Sequence, residues 1–180
     1  MILVIGCGFV GGTIADSLEE LGNEVVRIDP RLNDNKIRDY KHAEGAVICL
    51  PTPTEDGKPD DSIISKIVDG LGSMRILIKS TVLPYQLEKY PDNVSYSPEF
   101  LREKHAKEDY KNQKISVWGG TRLQVGFWLT IFKDLHKQNV VTNRATASMV
   151  KYVHNCWLAT KVAFFHELFS KCYPNNYSYS

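Results

Sequence analysis

The chain has 180 residues, 43% of them apolar and 24% charged, enough for one globular domain with a sizeable core and little beyond it. Its formal net charge is +1 with acids and bases interspersed, so no one-sided positive field is built and nucleic acid is excluded as an expected partner. The most apolar late stretch, residues 156–165, is broken by Lys161 and falls well short of the ~20 residues that cross a bilayer, so no membrane partner is predicted.

Ile2, Leu3, Val4 and Ile5 form an all-apolar, β-branched run that reads as a strand buried on both faces of a parallel sheet. Val10, Ile14, Leu18 and Leu21 then recur at helical spacing with Gly22 as a stop, which predicts the first crossover helix over 10–21. Residues 24–29 read as a second strand and 46–50 as a third, so a β-α-β-β order is visible early. Ile63, Ile64, Ile67, Val68 and Leu71 predict a helix, and residues 75–79 a fourth strand. Weaker strand signals fall at 94–96, 115–118 and 140–142, with a helix over 123–135. Strands alternating with helices define an α/β fold built on a doubly wound, Rossmann-type parallel sheet.

From 145 to 172 no Gly or Pro interrupts a long helix carrying Met149, Tyr152, Val153, Trp157, Val162, Phe165 and Phe169, a face too wide for a solitary exposed helix. The expected division is a dinucleotide-binding Rossmann-like domain over 1–143, a long C-terminal helix over 144–173 and a frayed polar tail over 174–180. Cys7, Cys49, Cys156 and Cys172 lie far apart, with no C-x-x-C pair and no secretory leader ahead of them, which predicts a reducing, cytoplasmic setting. His42, His105, His136, His154 and His166 are scattered without ligand spacing, so no metal site is expected.

Gly6, Gly8 and Gly11 make a G-x-G-x-x-G turn with Cys7, Phe9 and Val10 between the first strand and first helix. Glycines there allow a tight turn, close approach to a pyrophosphate and close helix packing, with the phosphates on the helix N-terminus. Asp29 ends the second strand 18 residues past Gly11, where a carboxylate accepts the adenosine ribose hydroxyls and repels a 2′-phosphate, favouring NAD over NADP. A bland reading, in which Asp29 only opens the turn at Pro30, stays open. FAD and S-adenosylmethionine binders share parts of the fingerprint, so these residues alone say dinucleotide or nucleoside.

Four further segments occur in order: Leu50, Pro51, Thr52, Pro53 and Thr54 after the third strand; Lys79, Ser80, Thr81 and Val82 after the fourth; Ser97 to Glu103 after the fifth; and Lys151-x-x-x-Asn155 with Leu158, Ala159, Thr160 and Lys161 in the late helix. Together with the glycine turn they resemble the UDP-glucose/GDP-mannose 6-dehydrogenase family. The resemblance implies that Leu50 to Thr54 and Ser80 to Val82 line the cofactor and that Glu103 lies beside its nicotinamide end. It implies that Glu99, Phe100, Leu101 and Arg102 grip a nucleotide sugar, UDP-glucose by preference. Glu99 would act as general acid and base, Lys151 and Asn155 would hold and polarise the sugar oxygen, and Thr81 would help place a water. Without the resemblance Lys151 reads as a solvated helix lysine, and Glu99 and Glu103 as capping or surface residues.

The resemblance also brings departures. Members complete a second oxidation through a thioester on a cysteine in a Gly-rich, Cys-Phe-Pro-Lys-Asp-like motif well past the long helix, and the chain ends before it. The expectation is therefore a truncated enzyme limited to a partial reaction, or else a non-catalytic NAD- and nucleotide-sugar-binding module acting as a regulator or assembly partner. Ser148 stands where Glu is expected, and Asp34 where a basic residue is expected, with Arg31 or Lys36 as substitutes. The long helix carries dimer contacts in the family, and an uncovered apolar face here predicts a homodimer through it.

Overall fold

The computed structural model describes residues 1–55, 57–133 and 138–172. In chain order the elements are β1 (Ile2–Ile5), α1 (Phe9–Glu20), β2 (Val25–Ile28), β3 (Gly45–Ile48), β4 (Thr54–Glu55), β5 (Lys58–Pro59), α2 (Ser62–Leu71), β6 (Arg75–Ile78), α3 (Pro84–Leu87), β7 (Val94–Tyr96), α4 (Ala106–Asn112), β8 (Ile115–Gly119), α5 (Arg122–Ile131), β9 (Gln138–Thr142) and α6 (Arg144–Cys172). Single 3-10 turns occupy Ile37–Tyr40 and Glu103–His105.

Seven strands form one sheet in the order β2-β1-β3-β6-β7-β8-β9, and β4 with β5 makes a small separate hairpin. The first five strands are parallel; β8 meets β7 antiparallel at Tyr96 and Gly119, and β9 follows β8 in parallel. The α/β sheet is thus doubly wound as the sequence predicts, but the last two strands reverse direction, which local periodicity does not encode.

Strand alternation sorts the core into two layers. Leu3, Ile5, Ile48, Ile76 and Ile78 pack with Ile64 and Val68 of α2, Leu87 of α3 and Ala147 of α6. Ile2, Val4, Val47 and Leu77 face the other way, against Ile14 and Leu18 of α1, Tyr110 of α4 and Trp128 of α5. The continuous apolar run of β1 is therefore buried on both faces, as a central parallel strand requires.

Two features position the site. β1 lies between β2 and β3, so the chain leaves it to opposite sides and opens a crevice outside the carboxyl ends of the strands. The connection from β2 to β3, residues 29–44, carries only the 3-10 turn Ile37–Tyr40, where a doubly wound half ordinarily adds a further strand and helix. α5 ends at Ile131 and Phe132 and Lys133 follow as a turn, short of the helix expected to 135; positions 134–135, His136 and the tail 174–180 lie outside the described residues. α6 seats Ala147, Ser148 and Lys151, while Val153, Trp157, Val162, Phe164 and Phe165 are exposed.

Candidate functional site

Two positions of the glycine turn tolerate no side chain. Gly6 has φ +84°, and a Cβ on it would sit 2.6 Å from the Cys49 carbonyl oxygen. A Cβ on Gly11 would stand 1.9 Å from the Gly6 carbonyl oxygen, so the turn closes onto α1 only with hydrogen there. Gly8, the N-cap of α1, is different: its nearest neighbour would be Arg31 Nη2 at 3.9 Å, leaving the space above it open. An open glycine at the start of a twelve-residue helix leaves room for an anion beside the first-turn amides.

Asp29 is buried at 3% exposure, yet none of its acceptor capacity is idle. Oδ2 accepts from the Cys7 amide at 2.8 Å and from Arg31 Nη2 at 2.8 Å. Oδ1 accepts from the Arg31 amide and Arg31 Nε, both at 3.0 Å. The Arg31 side chain, then the Arg31 and Cys7 amides, hold the carboxyl well below the usual carboxylate range.

A crevice of about 800 Å³ runs from this point along the strand ends. Of the predicted set it is lined by Gly6, Gly8, Phe9, Val10, Asp29, Leu50, Pro51, Thr52, Ser80, Thr81 and Glu99. The loops after β3 and β6 are tied together by Thr52 Oγ1, which donates to the Thr81 carbonyl at 2.8 Å. Ser80 is buried, and its Oγ has no hydrogen-bond partner among the described residues.

At the far end Glu99 meets Lys151 from α6. Lys151 Nζ donates to Glu99 Oε1 at 3.0 Å and to the Glu99 carbonyl, and lies 5.3 Å from the Phe100 ring centroid. Both side chains are largely buried, and Glu99 Oε2 also accepts from the Leu101 amide at 2.6 Å. Ser148, one turn earlier, donates to the Val82 carbonyl at 2.6 Å and fixes the root of α6 on the strap after β6. That hydroxyl occupies the place where the resemblance leads one to expect Glu.

Other predicted residues lie apart from the crevice. Gly11 sits beneath it; Val82 is in the core; Pro53 is exposed and Thr54 begins β4. Glu103 lines a neighbouring hollow of about 610 Å³ that shares Gly8 and Phe9. Arg102 turns away to pair with Asp109 at 2.7 Å. Asn155, one turn beyond Lys151, is exposed and carries no hydrogen bond among the described residues. A larger hollow, about 940 Å³ around Glu44, Lys66 and Arg75, lies at the opposite, amino ends of β3 and β6 and contains none of the predicted groups.

Lys79 was not among the predicted site residues, yet it lines the crevice. It is 3% exposed, donates to Ser97 Oγ at 3.0 Å, and stands 5.4 Å from the Trp118 and 5.9 Å from the Phe132 ring centroids. Burial lowers its ammonium to about 8. The signal was a charged residue closing the apolar run of β6. Cys49 lines the crevice too, but desolvation pushes its thiol up to about 12, and desolvation likewise raises Cys7. Cys156 and Cys172 are exposed on α6, and all four thiols are free.

No family model matches the chain. It is 31% identical over 153 residues to UDP-glucose 6-dehydrogenase of Rickettsia typhi, a match covering 74% of the chain and 35% of that enzyme. It is 27% identical over 230 residues to UDP-glucose 6-dehydrogenase AglM of Haloferax volcanii, covering 94% of the chain and 54% of the relative. A 230-residue match that takes up 94% of a 180-residue chain means the relative carries internal segments this chain lacks. Among solved structures, a UDP-glucose dehydrogenase from Pyrobaculum islandicum superposes with a TM-score of 0.83 at 23% identity over 93% of the chain and 51% of its own. A GDP-mannose dehydrogenase ternary complex from Pseudomonas aeruginosa gives 0.79 at 24% identity over 92% and 51%. These two likenesses establish the fold. The chain spans about a third to a half of the length of these relatives, and over that portion it belongs to the UDP-glucose/GDP-mannose 6-dehydrogenase family.

Proposed function

We propose that the chain is the cofactor-binding half of a nucleotide-sugar 6-dehydrogenase, binding NAD in the crevice and a nucleotide sugar, UDP-glucose by preference, at its Glu99 end. One observation carries the reading: a glycine turn and Asp29 share a single crevice with Glu99, a carboxylate held by a buried lysine 52 residues away in sequence. NAD fits the residues present, because Gly8 leaves room for a pyrophosphate and Ser80 offers an unpartnered hydroxyl. When bound, NAD would accept a hydride from the sugar's C6 alcohol. Gly6, Gly8, Phe9, Val10 and Gly11 would hold its phosphates, and Leu50, Pro51, Thr52, Pro53, Thr54, Ser80, Thr81, Val82 and Glu103 its nicotinamide side.

Glu99 would take the alcohol proton, with Lys151 keeping the carboxylate placed and Asn155 joining it at the sugar oxygen. Phe100, Leu101 and Arg102 would grip the sugar nucleotide, and Thr81 would orient water. A second copy would cover the apolar turns of α6. The free thiols fit a reducing, cytoplasmic setting.

A second reading, a binding module without turnover, is favoured by the thiols themselves: Cys49, raised to about 12, is no thiolate at neutral pH, so among the described residues the crevice offers no thiolate for the second oxidation. Reduced nicotinamide absorbance after mixing the chain with NAD and UDP-glucose tests the first reading. Thermal stabilisation by NAD without turnover supports the second, and no response to NAD refutes both.

A further inference from the structure

We propose that Arg31 makes the adenosine end of the crevice accept a 2′-phosphorylated dinucleotide, NADP, alongside NAD. The inference rests on the reading that the crevice holds a dinucleotide.

An acidic residue at the end of the second strand selects NAD by two means: free carboxylate oxygens accept the ribose hydroxyls, and the negative charge repels a 2′-phosphate. Neither condition holds here. An ionised carboxylate offers roughly four acceptor positions, and Asp29 has four donors on it: the Cys7 and Arg31 amides, Arg31 Nε and Arg31 Nη2. The guanidinium stands 2.8 Å from Oδ2 and neutralises the charge that would repel phosphate.

Exposure decides which of the two groups a ligand meets first. The Arg31 side chain is 75% exposed and the Asp29 side chain 3%, so the surface presented at this end is the cation. Nη2 lies 3.9 Å from where a Cβ on Gly8 would be, which places the guanidinium at the Asp29 side of the glycine turn, by the adenosine ribose. Its Nη1 group has no acceptor among the described residues, and a planar fork with open donors matches the geometry of a phosphate monoester.

The backbone under Arg31 is fixed as well. The Leu32 and Asn33 amides donate to the Asp29 carbonyl at 2.9 and 3.1 Å, and the Asn33 and Asn35 side chains both bond the Arg27 carbonyl at 3.0 Å. NAD remains a ligand, because an ion pair with so exposed a cation yields readily to the ribose diol.

The test is isothermal titration of NAD and NADP into the full chain and its Arg31→Ala variant, with circular dichroism confirming that the variant folds. The expected result is an NADP affinity within about tenfold of that for NAD, and a shift of at least about tenfold toward NAD in Arg31→Ala, since a charged bidentate contact is lost for NADP alone. NAD binding with NADP more than about tenfold weaker overturns the inference and leaves the crevice reading standing, as does an Arg31→Ala shift smaller than that. Binding of neither dinucleotide overturns the crevice reading and this inference together.

Discussion

Lys79 offers the sharpest check on the energetics of the site. Its ammonium is buried with one hydroxyl acceptor, at Ser97, and its titration falls from 10.5 to about 8 on folding. Below pH 8 the lysine is protonated in both the folded and unfolded chain, and the desolvation penalty is paid in full. Between 8 and 10.5 the unfolded chain binds more protons than the folded one, so this residue makes stability rise with pH across that window. Integrating the linkage from pH 7 to pH 9.5 gives a gain of about 2 kcal/mol. The variant Lys79→Met keeps the side-chain volume and removes the titration. In thermal melts at the two pH values, the wild-type minus Lys79→Met difference in Tm should move in favour of the wild type by about 4–8 °C for a chain of this size. Taking the difference cancels the buried tyrosines, whose raised ionisation destabilises the fold only above about pH 10. A wild-type minus variant difference that is the same at both pH values would refute the desolvation argument.

The two glycines of the turn should separate folding from binding. Gly11→Ala drives a Cβ into the Gly6 carbonyl and should cost about 3 kcal/mol or prevent folding, whereas Gly8→Ala meets only ordinary contact and should melt like the wild type while losing the NAD-induced shift. Denaturant titration with and without NAD distinguishes them. A double-mutant cycle of Lys151→Met and Glu99→Gln should give a coupling of about 1–3 kcal/mol, because either change alone leaves a largely buried charge without its counter-charge; additive effects would contradict the buried pair. Ser148→Ala strands the Val82 carbonyl and should cost about 1–2 kcal/mol in urea unfolding, with Ser148→Thr restoring part of it.

The sequence made the left half of the sheet legible because its signals are local: a β-branched run, a glycine turn and a helical period all lie within thirty residues. The hairpin of β4 and β5 and the short helices α3 and α4 escaped, since two-residue strands and a helix such as Ala106–Asn112, anchored by Ala106 and Tyr110, leave no period to read. The reversal at β8 rests on the pairing of Tyr96 with Gly119, a long-range contact no short window contains. Within the site, resemblance put Glu99 and Lys151 in one list, but only the fold shows that the lysine bonds both the side chain and carbonyl of that glutamate. Arg31 can stand in for the basic residue expected at Asp34, but its grip on Asp29 depends on a side-chain path that spacing does not fix.

The partial seating of α6 has a mechanical side. Its 29 residues make a rod about 43 Å long, of which the first two turns are packed on the sheet and His154 still meets the Phe100 ring, so the outer ~27 Å is the lever arm. Lys151 sits at the fulcrum. A load applied to the outer turns arrives at the root as torque, and a few degrees of tilt there translate the ammonium relative to Glu99. The placement of Lys151 against Glu99 is therefore set at the root, by Ser148 on the Val82 carbonyl, and a clamp on the aromatic turns would reset it from the other end.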